Sequence, residues 1–146
     1  MANTPVTESE VKQFIEDWFA KLDDHVPVEE LLPLVADEEL VMKMPESSEY
    51  RHSGFIKWYN HAINTFFDEV HIIHALRITP SQDSAKVEIV LQWEPVIWNA
   101  PAARSKRQGY FAAQTWLLKR SPETKRLFIV NYNVDYFIPM EGSDEL

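Results

Sequence analysis

The chain has no cysteine. Disulfides, thiolate metal ligands and a thiol nucleophile are therefore excluded. It has three glycines in 146 residues, and no glycine-rich loop that could cradle a phosphate. Cationic side chains are scarce as well: 14 Lys and Arg stand against 23 Asp and Glu, a formal charge of −9. Nucleic acid is bound largely by Lys and Arg on its phosphates, so neither nucleic acid nor an anionic membrane surface is expected as a partner. No apolar run approaches the ~18 residues of a membrane span. The opening MANTPVTESE has neither the basic nor the apolar region of a secretory leader. A cytoplasmic location is expected. The closing Ser143-Asp144-Glu145-Leu146 resembles a retention signal of the endoplasmic reticulum, but without a leader it reads as an acidic end.

What the chain does have is apolar and aromatic mass. It is 45% hydrophobic and 12% aromatic, with five tryptophans. A single domain of this length buries roughly 68–70% of its unfolded surface and needs no covalent staple. The stretch from Ser53 to Ile78 organises it. Phe55, Trp58, Tyr59, Ala62, Ile63 and Phe66 recur at helical spacing, which makes one broad apolar stripe. Ser53 is placed to cap that helix. After Asp68-Glu69 the period becomes two, with Ile72, His74, Leu76 and Ile78 on one face.

The rest of the chain falls into place around it. A first helix is expected over Glu8–Asp24, capped by Thr7, with Glu10 placed for a capping box. Pro27 opens a short helix to Val35, and a strand over Glu39–Met44 is closed by Pro45. Glu46–His52 reads as a polar loop. Beyond Ile78 come strands over Lys86–Glu94, resuming at Val96–Trp98 after Pro95, then Gln108–Lys119 and Leu127–Ile138. Their alternation puts Val87, Ile89, Leu91 and Trp93 on one face, and Tyr110, Ala112, Gln114 and Trp116 on another. In the last strand Val130, Tyr132 and Val134 oppose Asn131, Asn133 and Asp135. Short connections make these strands antiparallel, and helices over one sheet make the fold α+β.

This order resembles the nuclear transport factor 2-like superfamily, which includes SnoaL-like cyclases and ketosteroid isomerases. The marks are Trp18-Phe19 before Leu22-Asp23-Asp24, the run EELLPLVADEEL, Gly54 opening an aromatic helix, and the terminal FIVNYNVDYF. The resemblance covers Glu8 to Ile138 as one domain, leaving residues 1–7 and 139–146 as polar tails. It implies a curved antiparallel sheet wrapped around the helices, with an internal apolar pocket and pairing into a homodimer through the sheet. The isomerase roles do not carry over. Its oxyanion-donor tyrosine falls at Trp18, its base aspartate at Met44 before Pro45, and its second carboxyl near Gln114.

His74 is the candidate base, since alternation sets it among Ile72, Leu76 and Ile78, where a desolvated imidazole favours its neutral form. The alternative is a core histidine bonded to a backbone carbonyl or to Tyr59. Tyr59 and Tyr132 are candidate hydrogen-bond donors, and Trp18, Trp93 and Trp116 candidate walls for a flat ligand, with Met44 and Gln114 completing the set. Each of these side chains could equally be core. The five histidines show no metal-binding spacing, and no cofactor is expected. Three functions remain: a module holding a small, largely apolar molecule; an isomerase, cyclase or dehydratase using His74 with Tyr59 or Tyr132; and a protein-interaction module.

Overall fold

The computed structural model describes residues 5–45, 47–99 and 101–144. Glu46, the far N-terminal residues 1–4 and the Glu145-Leu146 end of the retention-like tail lie outside the described residues. Helix α1 runs over Glu8–Asp23, and the Thr7 hydroxyl accepts from the Glu10 N–H at 3.2 Å as a cap should. Its stripe of Val11, Ile15, Trp18, Phe19 and Leu22 is buried. The capping box does not close. The Glu10 carboxylate instead takes both terminal nitrogens of Arg120, at 2.8 and 2.9 Å. That guanidinium holds Glu10 below the usual carboxylate range.

The expected second helix is two 3-10 turns, Val28–Glu30 and Leu32–Leu34. Pro33 lacks the N–H and clashes with a continued α-helix. Strand β1 is Val41–Lys43, and part of the expected polar loop is a second strand, β2, Ser48–Tyr50, paired antiparallel with it. Helix α2 spans Arg51–Thr65, so it begins two residues before Ser53. Its first turn is held from elsewhere: Asp37 Oδ1 accepts from the His52 N–H at 2.9 Å. That bond lowers the Asp37 pKa.

Four long strands follow: β3 (Phe67–Pro80), β4 (Ser84–Ile97), β6 (Tyr110–Arg120) and β7 (Leu127–Pro139), with the two-residue β5 (Lys106–Arg107) between β4 and β6. The sheet order is β2-β1-β7-β6-β4-β3, with β5 on β4, and the strongly curled sheet encloses the helices. Pro95 lies inside β4, between the stretch paired with β6 and the stretch paired with β5. Its carbonyl accepts the Gln108 N–H at 2.8 Å, and its missing N–H falls where Pro95 has no register partner in β3, β5 or β6. Val6 is buried with the core, and Met140–Asp144 folds back so that Ser143 and Asp144 bond Gly109, Gln108 and the Tyr110 hydroxyl. The packed unit therefore reaches past Glu8 and Ile138 at both ends.

The curl has a source in the strands. In β7, Val130 and Asp135 are extra residues in the ladder with β6, and β3 carries its own extra residues at Phe67–Val70 and at His74. Each bulge bends its strand and switches which residues face inward. Ile129, Tyr132, Val134 and Phe137 consequently share the inner face of β7, while Tyr136 and Ile138 are exposed outside.

Candidate functional site

A cavity of about 410 Å³ opens between α2 and the concave sheet. That is within the usual range for a small-molecule site. Its wall is mostly ring and aliphatic carbon. Trp58, Phe66, Trp93, Tyr110, Tyr132 and Phe137 line it together with Met44 and Leu91. Among the described residues no Lys or Arg side chain lines it, and its one carboxylate and one imidazole, Glu69 and His71, stand at a corner where the end of α1 meets the start of β3.

The corner is built by backbone geometry. Helix α1 ends in a left-handed turn: the His25 N–H donates to Leu22 O at 3.2 Å and the Val26 N–H to Lys21 O at 3.3 Å. This is the paired bonding of a helix C-terminal motif whose αL residue is most often glycine. Here it is His25, at φ 50°. The turn aims Asp23 and His25 at β3. Across from them, Asp68 at φ 47° belongs to the first bulge of β3, which turns Glu69 into the cavity wall.

Two histidine–carboxylate pairs bridge the two elements, with the roles reversed. Asp23 of α1 clamps His71 of β3: Oδ1 meets the ring Nδ1 at 2.5 Å and Oδ2 takes the His71 backbone N–H at 3.2 Å. His25, just past the end of α1, in turn bonds Glu69 of β3 through Nε2, and the other Glu69 oxygen accepts from the Trp93 indole at 2.9 Å. Phe19 stacks on the His71 ring, centroids 4.8 Å apart, with Trp93 on the imidazole at 6.3 Å. Only 9% of the His71 side chain is exposed, and the ring lines the cavity. Asp23 fixes the tautomer. With the proton on Nδ1 held by the carboxylate, Nε2 carries the free lone pair, and no protein group among the described residues bonds it.

His74 is elsewhere. It is the extra residue of the second β3 bulge, so His74 and Ala75 both face outward and the parity expected from alternation reverses. Its ring is exposed, bonded to Gln92 at 3.1 Å and set against Phe111 on the outer sheet. Ile72 is outward with it, whereas Leu76 and Ile78 face in as expected. Trp18 and Trp116 do not line the cavity either. They are fully buried behind Tyr132, Trp116 stacked on its ring at 5.1 Å and bonded to Gln114 Oε1 at 2.9 Å. Met44, Tyr59, Trp93, Gln114 and Tyr132 are on the wall.

The two wall tyrosines differ. The Tyr59 hydroxyl donates to Val26 O at 2.6 Å, and burial, then the charge of Glu69, pushes its pKa up to about 12. Burial raises Tyr132 further, against the opposing effect of Trp18 and Gln114 beside it. The Trp18 N–H lies near that hydroxyl without closing a hydrogen bond of ordinary geometry. Both phenols stay protonated at neutral pH; the Tyr59 O–H is already given to Val26 O, and each phenol oxygen keeps lone pairs that can accept.

Asp23, His25, Glu69 and His71 escaped the sequence reading. Asp23 and His25 looked like helix-ending polar residues, and the bulge inverted His71. The one available signal was the grouping of acids and histidines at both ends, DDH and DEVH.

No family model matches the chain, and no curated protein matches it in sequence. Solved structures match its shape. A nuclear transport factor 2-like protein of unknown function from Pseudomonas putida is 16% identical with a TM-score of 0.69, covering 95% of this chain and 92% of that one. A hexachlorocyclohexane dehydrochlorinase, LinA-type3 from Novosphingobium barchaimii, is 14% identical at TM-score 0.71, covering 94% and 92%. A scytalone dehydratase candidate from Novosphingobium aromaticivorans is 14% identical at TM-score 0.73, covering 94% of each. The chain has the nuclear transport factor 2-like fold.

Proposed function

We propose that this cone is a lyase. It takes a proton and a leaving group from neighbouring carbons of a small, largely apolar ring. His71 Nε2 is the base. The observation that carries the reading is the Asp23–His71 pair, set at the wall of a largely apolar cavity. Asp23 holds the imidazole in the tautomer with Nε2 bare and stabilises the imidazolium that forms when Nε2 takes the proton. The aromatic wall orients a flat substrate and keeps water from the developing charge. Two of the structural neighbours named above carry names of the same chemical type, loss of hydrogen chloride and loss of water. Isomerisation by a carboxylate base is a poor fit, since Met44 occupies that position on the wall.

Two probes test this: γ-hexachlorocyclohexane, followed by chloride release, and a cyclohexanone bearing a para-nitrophenoxy group β to the carbonyl, followed by nitrophenoxide release. Turnover that His71→Gln abolishes supports the lyase. Saturable binding with no release favours a second reading, storage of an apolar ligand, for which the wide aromatic wall is the supporting observation.

A homodimer through the sheet belongs to the same proposal. Ile72, Val90, Phe111, Tyr136 and Ile138 leave large apolar side chains exposed on the outer sheet or its margin. Contiguous patches of this kind mark contact surfaces. Native mass spectrometry is expected to give twice the 17.1 kDa chain mass. Phe111→Lys is expected to give the single chain mass, and a wild-type monomer would remove the proposal.

A further inference from the structure

The mechanism above leaves the second pair, His25 with Glu69, without a task. Its construction is unusual for a mere tie between α1 and β3. His25 occupies the left-handed position that favours glycine, and a second left-handed residue, Asp68, sits beside Glu69 in the bulge. Non-glycine residues enter this region at a conformational cost. Such local strain gathers at functional sites. The two distortions converge on one contact, and the ends of that contact lie in different media. Glu69 is 8% exposed and lines the cavity, whereas His25 is 24% exposed. The Trp93 indole anchors the second Glu69 oxygen at 2.9 Å.

We propose that Glu69 is the general acid of the reaction and that His25 is a positioning residue that resupplies its proton from solvent. This rests on the lyase reading. Loss of water needs what loss of chloride does not, a proton for the departing oxygen. In the step, the C–H proton passes to His71 Nε2 and the C–H electron pair becomes the new π bond. The C–O pair leaves with oxygen, which takes the proton shared between Glu69 Oε2 and His25 Nε2. The products are an alkene and water. One proton has been gained at His71 and one lost from the pair, and exchange with solvent resets both. The acid and the base stand on one strand two residues apart, which places both on the cavity wall at the same corner.

The experiment compares two leaving groups on one ring, hydroxide and para-nitrophenoxide, each β to the carbonyl of cyclohexanone. Nitrophenoxide departs as a stable anion. Glu69→Gln is expected to slow the hydroxy ketone by on the order of 10²-fold. The nitrophenoxy ketone is expected to slow by less than about a tenth of that factor. His25→Gly suits the left-handed backbone position. It is expected to slow the hydroxy ketone and to recover in part with added imidazole, which a structural tie would not. Equal losses on both ketones, or no recovery with imidazole, overturn the proposal. Retention of both activities in His71→Gln sinks the lyase reading instead, and the proton-delivery role with it.

Discussion

Turnover of either probe falls by on the order of 10³-fold in His71→Gln. The midpoint of thermal unfolding moves by only a few degrees. The size follows from what is removed. Gln can still donate an amide N–H to Asp23 and fills much of the same space against Phe19, but it has no basic nitrogen. The loss therefore appears in kcat, while KM, set by the aromatic wall, changes little. His74→Gln is the matched comparison. That ring stands on the outer sheet with Gln92 and Phe111, and its replacement is expected to leave both kinetic constants at wild-type values. Steady-state kinetics on the two variants side by side checks both statements. A loss in His74→Gln with activity kept in His71→Gln would restore the strand parity expected from simple alternation.

Trp18→Ala is the largest expected loss of stability. Trp18 is fully buried and touches Phe55, Trp116 and Tyr132, with ring centroids 5.9, 6.1 and 5.8 Å away. It joins α1 to α2 and to the concave sheet at once. Truncating a buried Trp costs about 3–5 kcal/mol, because lost transfer energy adds to a cavity that neighbours fill only in part. Native domains have roughly 5–15 kcal/mol in all. Urea unfolding of Trp18→Ala should therefore show a midpoint far below wild type. Trp18→Phe is a sharper comparison. It keeps a ring and deletes an indole N–H that closes no hydrogen bond, and leaving such a donor buried itself costs about 1–3 kcal/mol. Its penalty should be well under half that of the alanine variant. Equal penalties would mean that the N–H is satisfied in solution.

Where a strand is regular, the chain tells its own inner face. β6, and β4 as far as Glu94, alternate without interruption, and Val87, Ile89, Leu91, Tyr110, Ala112 and Trp116 are all buried as their spacing requires. Where a bulge intervenes the rule reverses in mid-strand. Nothing in IIHAL marks His74 as the extra residue, because a bulge is chosen by the curvature of the whole sheet and by the partner strand. That single insertion exchanged His74 for His71. The start of α2 was hidden for a related reason. Its cap is Asp37, fourteen residues before Arg51, and local spacing points to Ser53 instead. Trp18 and Trp116 were correctly read as inward, but depth beneath the cavity floor depends on the packing of three elements and has no local mark. The acid–histidine corner depends on contacts 44 and 48 residues apart, so each half looked like an ordinary helix end or strand start.

The proposed chemistry depends on one contact, the clamp of Asp23 on His71. Nitrogen-15 NMR of the histidine side chains in the wild-type protein, with His71→Gln used for assignment, reads it directly and needs no substrate. For neutral His71 the account predicts one tautomer, the proton on Nδ1 and a bare Nε2, and it predicts that Asp23→Asn disturbs this pattern while leaving the His74 signals in place. A His71 ring carrying its proton on Nε2, or averaging between tautomers as a solvent-exposed histidine does, would contradict it.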